Sequence, residues 1–193
     1  YLNDMWNTYG VLPDRIEIAT FWWPRFVRVA EWFLAEEARL RASHLTLVVE
    51  VEGTAPFDAP AGPVVLRARA DRIDRDGDGR LVLIDYKTGS PPSKDQVEAG
   101  HAPQLPLEAA VARLGGFPDV PPGPVGALEY WKLSGGAEPG RRIDVSGGDA
   151  EAATDAAVAG LRGVLARFDL PTTAYLSQPR RTPPRFSDYA HLA

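Results

Sequence analysis

The order of patterns along the chain predicts an α/β domain. A helical periodicity comes first, three short apolar runs rich in β-branched residues follow, and a helix–strand–strand–helix order closes the sequence. With 193 residues the chain is long enough for one domain with a true core, or for one domain plus a tail.

Residues 13–43 read as one long amphipathic helix. Phe21, Trp22, Phe26, Val29, Ala30, Phe33 and Ala38 fall on one side, and Glu31, Glu36, Glu37, Arg39 and Arg41 on the other. Pro24 lacks an amide N–H, so a helix start or a kink is expected there. Trp22, Trp23 and Trp32 read as core or as a docking surface. Residues 45–51 alternate and are β-branched, which predicts a strand; 52–62, rich in Gly, Pro and Ala, reads as a loop. Strands are expected over 64–73 and 80–86, joined as a hairpin through the Asp-Gly-Asp-Gly turn. Residues 89–93 break the chain. A helix over 103–114 closes on Gly115 and Gly116. A strand follows at 125–133, with 141–145 as its expected partner, and then an alanine-rich helix at 149–168. The resulting division is 1–43 as a helical segment packing on the core, 44–170 as the core, and 171–193 as a Pro/Arg-rich extended tail.

Composition narrows the function classes. The 45% hydrophobic content and five tryptophans argue for a folded chain. The net charge of −5 excludes a basic nucleic-acid coat, so any phosphate contact needs a local patch or a partner subunit. Cysteine is absent, which excludes a disulfide framework, a thiolate zinc site and an iron–sulfur cluster built from this chain, and suits a cytoplasmic setting. No apolar run approaches the length of a membrane span, so no membrane partner is expected. The first residues lack the basic and apolar regions of a signal peptide. The chain does not begin with methionine and reads as a piece of something longer or a processed product.

The chemistry concentrates between Asp71 and Lys87. Asp85 and Lys87 are two apart on a strand, so both point to one face. A lysine beside a carboxylate that holds a hard cation can orient a water against phosphorus and offset charge in the transition state. The bland alternative is a surface Asp–Lys pair worth little. Asp71 reads as lying near the end of its strand, at the opposite edge from Asp85 unless the strand bends or the turn is asymmetric, so periodicity does not bring the two together. The acidic turn has a rival reading. Asp74, Asp76, Asp78, Gly79, Leu81 and Asp85 follow the spacing of a calcium loop, but that loop needs flanking helices and a closing Glu. An ordinary hairpin turn explains the same residues.

Three segments taken together say more. These are Asp71-Arg72-Ile73-Asp74, Asp85-Tyr86-Lys87-Thr88-Gly89, and the run Gly100-His101-Ala102-Pro103-Gln104-Leu105-Pro106-Leu107-Glu108. They resemble the RecB-type nuclease domain of the PD-(D/E)XK superfamily, and within it most the AddB subunits of AddAB helicase–nucleases in their alphaproteobacterial form. Residues 21–26 and 184–192 look like the flanks of the same family, so the resemblance spans nearly the whole chain. It implies a central mixed β-sheet flanked by helices, a restriction-endonuclease-like core over 44–170, with a strand bend that brings Asp71 to Asp85. By the same resemblance Asp71 and Asp85 would be magnesium (or manganese) ligands, with the backbone carbonyl of Tyr86 as a further one. Lys87 would be the catalytic lysine, and Gln104 would lie on the helix bracing the site. The implied reaction is metal-dependent hydrolysis of DNA, exonucleolytic, at double-strand breaks undergoing recombinational repair, with an AddA-like helicase–nuclease subunit as partner.

The chain also departs from that family. Glu108 stands where the glutamine motif ends in tyrosine. The histidine ligand that many relatives carry on a helix before the sheet has no counterpart, since His44 directly precedes a strand; that helix is expected before Tyr1. These departures keep open a second reading, a nuclease-like scaffold that binds a helicase with its catalysis impaired. Glu50 and Glu52 read equally as an extension of the acidic cluster or as an exposed strand face. His101 reads as a loop residue. Arg180, Arg181 and Arg185 read as a solvated tail or as a contact to phosphate or a partner.

Overall fold

A computed structural model describes residues 18–176. Its centre is a five-stranded mixed sheet in the order β1-β2-β3-β4-β5. The strands are β1 (Leu45–Ala59), β2 (Gly62–Arg75), β3 (Leu81–Lys87), β4 (Val125–Leu133) and β5 (Gly140–Asp144). Neighbours run antiparallel except β3 and β4, which are parallel. The parallel pair needs a crossover, and residues 88–124 supply it with two helices, α2 (Lys94–Glu98) and α3 (Gln104–Arg113). Helix α1 (Trp23–Leu40) precedes the sheet and α4 (Ala150–Phe168) follows it.

The sheet is covered on both faces, which is why β3 is buried from Leu81 to Asp85 without a break. Leu81 and Leu83 belong to the larger core, with Leu105, Ala109 and Val111 of α3 and Val158 of α4. Val82 and Ile84 point the other way, into a cluster with Leu40 and Trp32 of α1 and with Trp131 of β4. Trp131 is fully buried and meets Trp32, Phe33 and Tyr86 edge-on, at centroid distances of 5.6, 5.8 and 5.8 Å. Gly140 allows this packing, because a Cβ there would sit 2.2 Å from the Trp32 ring.

Three expectations are corrected. The expected loop at 52–62 is strand as far as Ala59. Gly53, Ala55 and Phe57 are buried while Glu52, Thr54, Pro56 and Asp58 are exposed, a strand alternation that the Gly/Pro content hid. Pro56 is tolerated because β1 is an edge strand. Helix α2 falls just past the expected chain break, and its signal was present in the sequence: Ser93 and Gln96 cap each other reciprocally. Helix α1 begins at Trp23, with Pro24 in its first turn and a π-helical turn (Ile18–Trp22) before it. The face it presents is not the expected one. Phe21, Trp22 and Phe26 are exposed, whereas Glu36 is buried and Glu37 ion-pairs with buried Arg72. The sheet face beneath α1 carries arginines, so acids point inward. Trp32 is core, whereas Trp22 is exposed. The part of the expected helix at 13–17, and the tail from 177 onward with Arg180, Arg181 and Arg185, lie outside the described residues.

Candidate active site

Asp71 and Asp85 are brought level by register alone. Arg72 pairs with Ile84, and the ladder continues to Arg75 opposite Leu81. Asp71 is one residue before Arg72 and Asp85 one after Ile84, so an antiparallel pair sets them side by side. The expectation that they lie at opposite edges came from ending the second strand at Ile73, which made Asp71 look close to the turn. The β1–β2 ladder is interrupted at Asp71 as well, and its register shifts between Thr46 and Val48. On β1 the flanking pairs are Val49 with Arg72 and Val51 with Ala70; Glu50 and Asp71 drop out of the ladder, and Glu50 has φ of 49°. Ala70 and Ile73 then both face the same core, a three-residue spacing that unbroken alternation forbids. The side chain freed from the pleat is Asp71.

Freed in this way, the Asp71 carboxylate accepts the Tyr86 amide N–H through Oδ2 at 2.9 Å. That bond ties β2 to the end of β3 and fixes the peptide that carries Tyr86. Asp85 is 2% exposed. Lys87 Nζ donates to its Oδ1 at 2.9 Å and lies 2.7 Å from Oδ2, but the approach to Oδ2 is poorly angled, and that buried oxygen has no hydrogen bond. Lys87 is partly open to solvent and sits 5.7 Å from the centroid of the buried Tyr130 ring. Gln104, the first residue of α3, stands exposed at the rim and donates from Nε2 to Asp85 Oδ1 at 3.2 Å. The same nitrogen donates to Glu108 Oε1 at 3.0 Å, one helical turn further on. The five residues expected at the site therefore converge where β3 ends and α3 begins, the carboxyl end of a parallel strand pair, where open α/β sheets place their ligands.

Sequence reasoning named Glu108 only as a departure and missed Tyr130. Both are buried against the site. Burial is the main reason the Glu108 carboxyl is pushed up to about 7, with Asp85 and Asp71 adding to it and Gln104 and Lys87 opposing. Burial also raises Asp85; the Lys87 ammonium pulls it back, and the neighbouring Asp71 charge pushes it up again. Tyr130 is pushed up to about 12 by burial and then by the charges of Asp85 and Glu108. A signal for Glu108 was available, because a glutamine and an acid spaced four apart on a helix meet on one face.

Other candidates lie elsewhere. Glu50 is exposed and pairs with Arg69, Glu52 is exposed, and so is His101. The His44 ring meets the Ser43 hydroxyl at 3.0 Å. The calcium-loop spacing does not form a loop of converging acids. Asp74 is fully buried on the α1 side, gripped by Arg72 at 2.7 and 2.6 Å, while Asp85 faces α3. Asp76 caps the turn through Asp78 N–H and Arg80 N–H.

Among the described residues no three His, Asp or Glu side chains form a metal-binding group on their own. The donor set nevertheless suits a hard cation of the magnesium type, which takes one or two carboxylates and completes its shell with water and substrate phosphate oxygens. Two adjacent carboxylates, one with a buried oxygen that has no hydrogen bond and only the Lys87 ammonium beside it, meet that requirement.

Comparison with known proteins bears on the family. The family model described as the PD-(D/E)XK nuclease superfamily matches residues 4–178. Uncharacterized proteins of Rickettsia bellii and Rickettsia felis are each 25% identical over 96 residues, which is 50% of this chain but only 12% and 11% of theirs. The chain thus matches a small part of much longer relatives. The crystal structure of SSO0001 aligns over 75% of this chain and 64% of that one, with 17% identity and a TM-score of 0.36.

Proposed function

The chain belongs to the PD-(D/E)XK nuclease superfamily, and from that premise we propose that it is the metal-dependent DNA nuclease domain of an AddB-like subunit. The observation that carries the reading is the convergence of Asp71, Asp85 and Lys87 at the end of β3. In this reading Asp71, Asp85 and the Tyr86 carbonyl hold a magnesium or manganese ion. The ion would supply positive charge at the scissile phosphate and a water activated at neutral pH. Asp71 keeps the Tyr86 peptide in place by taking its N–H. Lys87, tethered to Asp85 and open to solvent, orients the attacking water and offsets charge on the phosphoryl oxygens. Gln104 holds Asp85 from the helix side. The substrate is DNA cut exonucleolytically during recombinational repair of double-strand breaks in the cytoplasm. An AddA-like helicase–nuclease subunit delivers it.

The test is magnesium- or manganese-dependent cleavage of DNA, with and without the helicase partner. Asp85→Ala should abolish it, and Lys87→Ala should lower the rate by about 10²–10³-fold, the typical loss of a transition-state charge partner. If both variants cut as well as the parent, the reading fails.

A further inference from the structure

Glu108 is a buried carboxylate at the site with no part in that reaction, 5% exposed and on the helix that faces Asp85. Its only hydrogen bond among the described residues is to Gln104. A primary amide has two N–H bonds on one nitrogen and a carbonyl on the other side. Here Nε2 meets Asp85 Oδ1 at 3.2 Å and Glu108 Oε1 at 3.0 Å, so each N–H has a carboxylate acceptor. Turning the amide over would aim its carbonyl oxygen at both acceptors at once. With Glu108 in place the amide has one favoured orientation; without it, the second acceptor no longer opposes the flip. That orientation matters because Asp85 Oδ1 takes both Gln104 and Lys87, while the buried Oδ2 has no hydrogen bond and only the Lys87 ammonium, 2.7 Å away, beside it.

We propose that Glu108 is a positioning residue that acts through Gln104, locking the amide nitrogen toward Asp85 so that Oδ2 is held ready for the cation. This rests on the reading of Asp85 as a cation ligand. What Glu108 contributes is an acceptor at a fixed place. A glutamine there supplies the same acceptor through its carbonyl, whereas leucine, of similar size, supplies none.

The test is manganese affinity of the full chain by titration calorimetry, with circular dichroism as the check on folding. Glu108→Leu is expected to weaken binding by about 10- to 100-fold, the usual cost of removing a partner behind a metal ligand. Glu108→Gln should stay within a few-fold of the parent. Gln104→Leu should weaken binding as much as Glu108→Leu, and the double variant no further, because the two act as a unit. A folded Glu108→Leu chain that binds like the parent overturns the proposal. So does a Glu108→Gln chain as weak as Glu108→Leu, or a double variant whose losses add. Should Glu108→Leu fail to fold, the Glu108→Gln and Gln104→Leu affinities still decide. Asp85→Asn separates this proposal from the reading beneath it. If that variant binds manganese like the parent, the site itself is wrong, whatever Glu108 does.

Discussion

Three carboxylates, one ammonium and one amide crowd the end of β3, and burial among them raises the pKa of Asp85 and of Glu108. Glu108 is the clearest case, pushed up to about 7 by burial beside Asp85 and Asp71. An acid whose pKa is higher in the fold than in the unfolded chain binds protons more tightly when folded. Its contribution to stability is complete below its ordinary range near 4.5 and is lost as pH rises through 7. Glu108→Gln carries no such proton, so it should gain on the parent as pH rises from 5 to 8. The expected gain over that interval is roughly 2–3 kcal/mol, because each tenfold preference of the fold for the protonated acid is worth about 1.4 kcal/mol. Paired denaturant titrations at pH 5 and pH 8 check this; an equal difference at the two pH values would refute it. The role of Glu108 was not legible in the sequence, because Gln104 and Glu108 give their spacing but not what lies opposite them. The Asp85 and Lys87 pair was legible, since a period of two fixes a shared face whatever the tertiary context.

Among the elements, α1 is held to the sheet by buried charge as well as by apolar contact. Arg72 projects from β2 toward α1, bonding Asp74 twice, then Glu37, the Thr46 hydroxyl and the Tyr86 hydroxyl. Asp74 is fully buried, so removing only Arg72 strands a charge. Arg72→Met is expected to cost about 3–5 kcal/mol, and Arg72→Met with Asp74→Leu should recover part of it, because the fully buried Asp74 charge goes while Glu37 still loses its partner. Equilibrium unfolding of both variants is the measurement, and a double variant less stable than the single would contradict this account. The hairpin turn behaves differently. Asp76→Ala removes an exposed cap worth about 1 kcal/mol and should leave manganese affinity unchanged, whereas a calcium loop would lose its ligand. Sequence periodicity located most elements but misjudged the face of α1. Amphipathic patterning assumes that acids face water, and here Arg72 and Arg142 wait beneath Glu37 and Glu36. It also ended the second strand two residues early, and that error alone made Asp71 and Asp85 seem far apart.

For the molecule as a whole, the mixed sheet and its flanking helices followed from element order and from the resemblance, while the exit of Glu50 and Asp71 from the ladder depended on packing that no local pattern encodes. One whole-molecule property bears directly on the substrate. The chain carries 26 acidic against 21 basic side chains. Several of the arginines are already spent inside the fold: Arg72 on Asp74, Arg113 on Glu151 and Asp155, and Arg142 on Glu129. A charge paired within the protein releases no counterion when DNA arrives. Affinity for duplex DNA should therefore be weak at physiological salt, no tighter than the non-specific range of about 10⁻⁴–10⁻⁶ M. Its dependence on salt should be shallow, because each phosphate neutralised adds roughly −0.9 to the slope of log K against log salt. The complex with an AddA-like helicase should bind more tightly and with a steeper slope, the added phosphate contacts coming from the partner. Fluorescence anisotropy across a salt series, with Asp85→Ala protein, which is expected not to cut, measures both quantities. Nanomolar binding by the isolated chain with a steep slope would mean that it grips DNA by itself, and delivery by a partner would then be unnecessary.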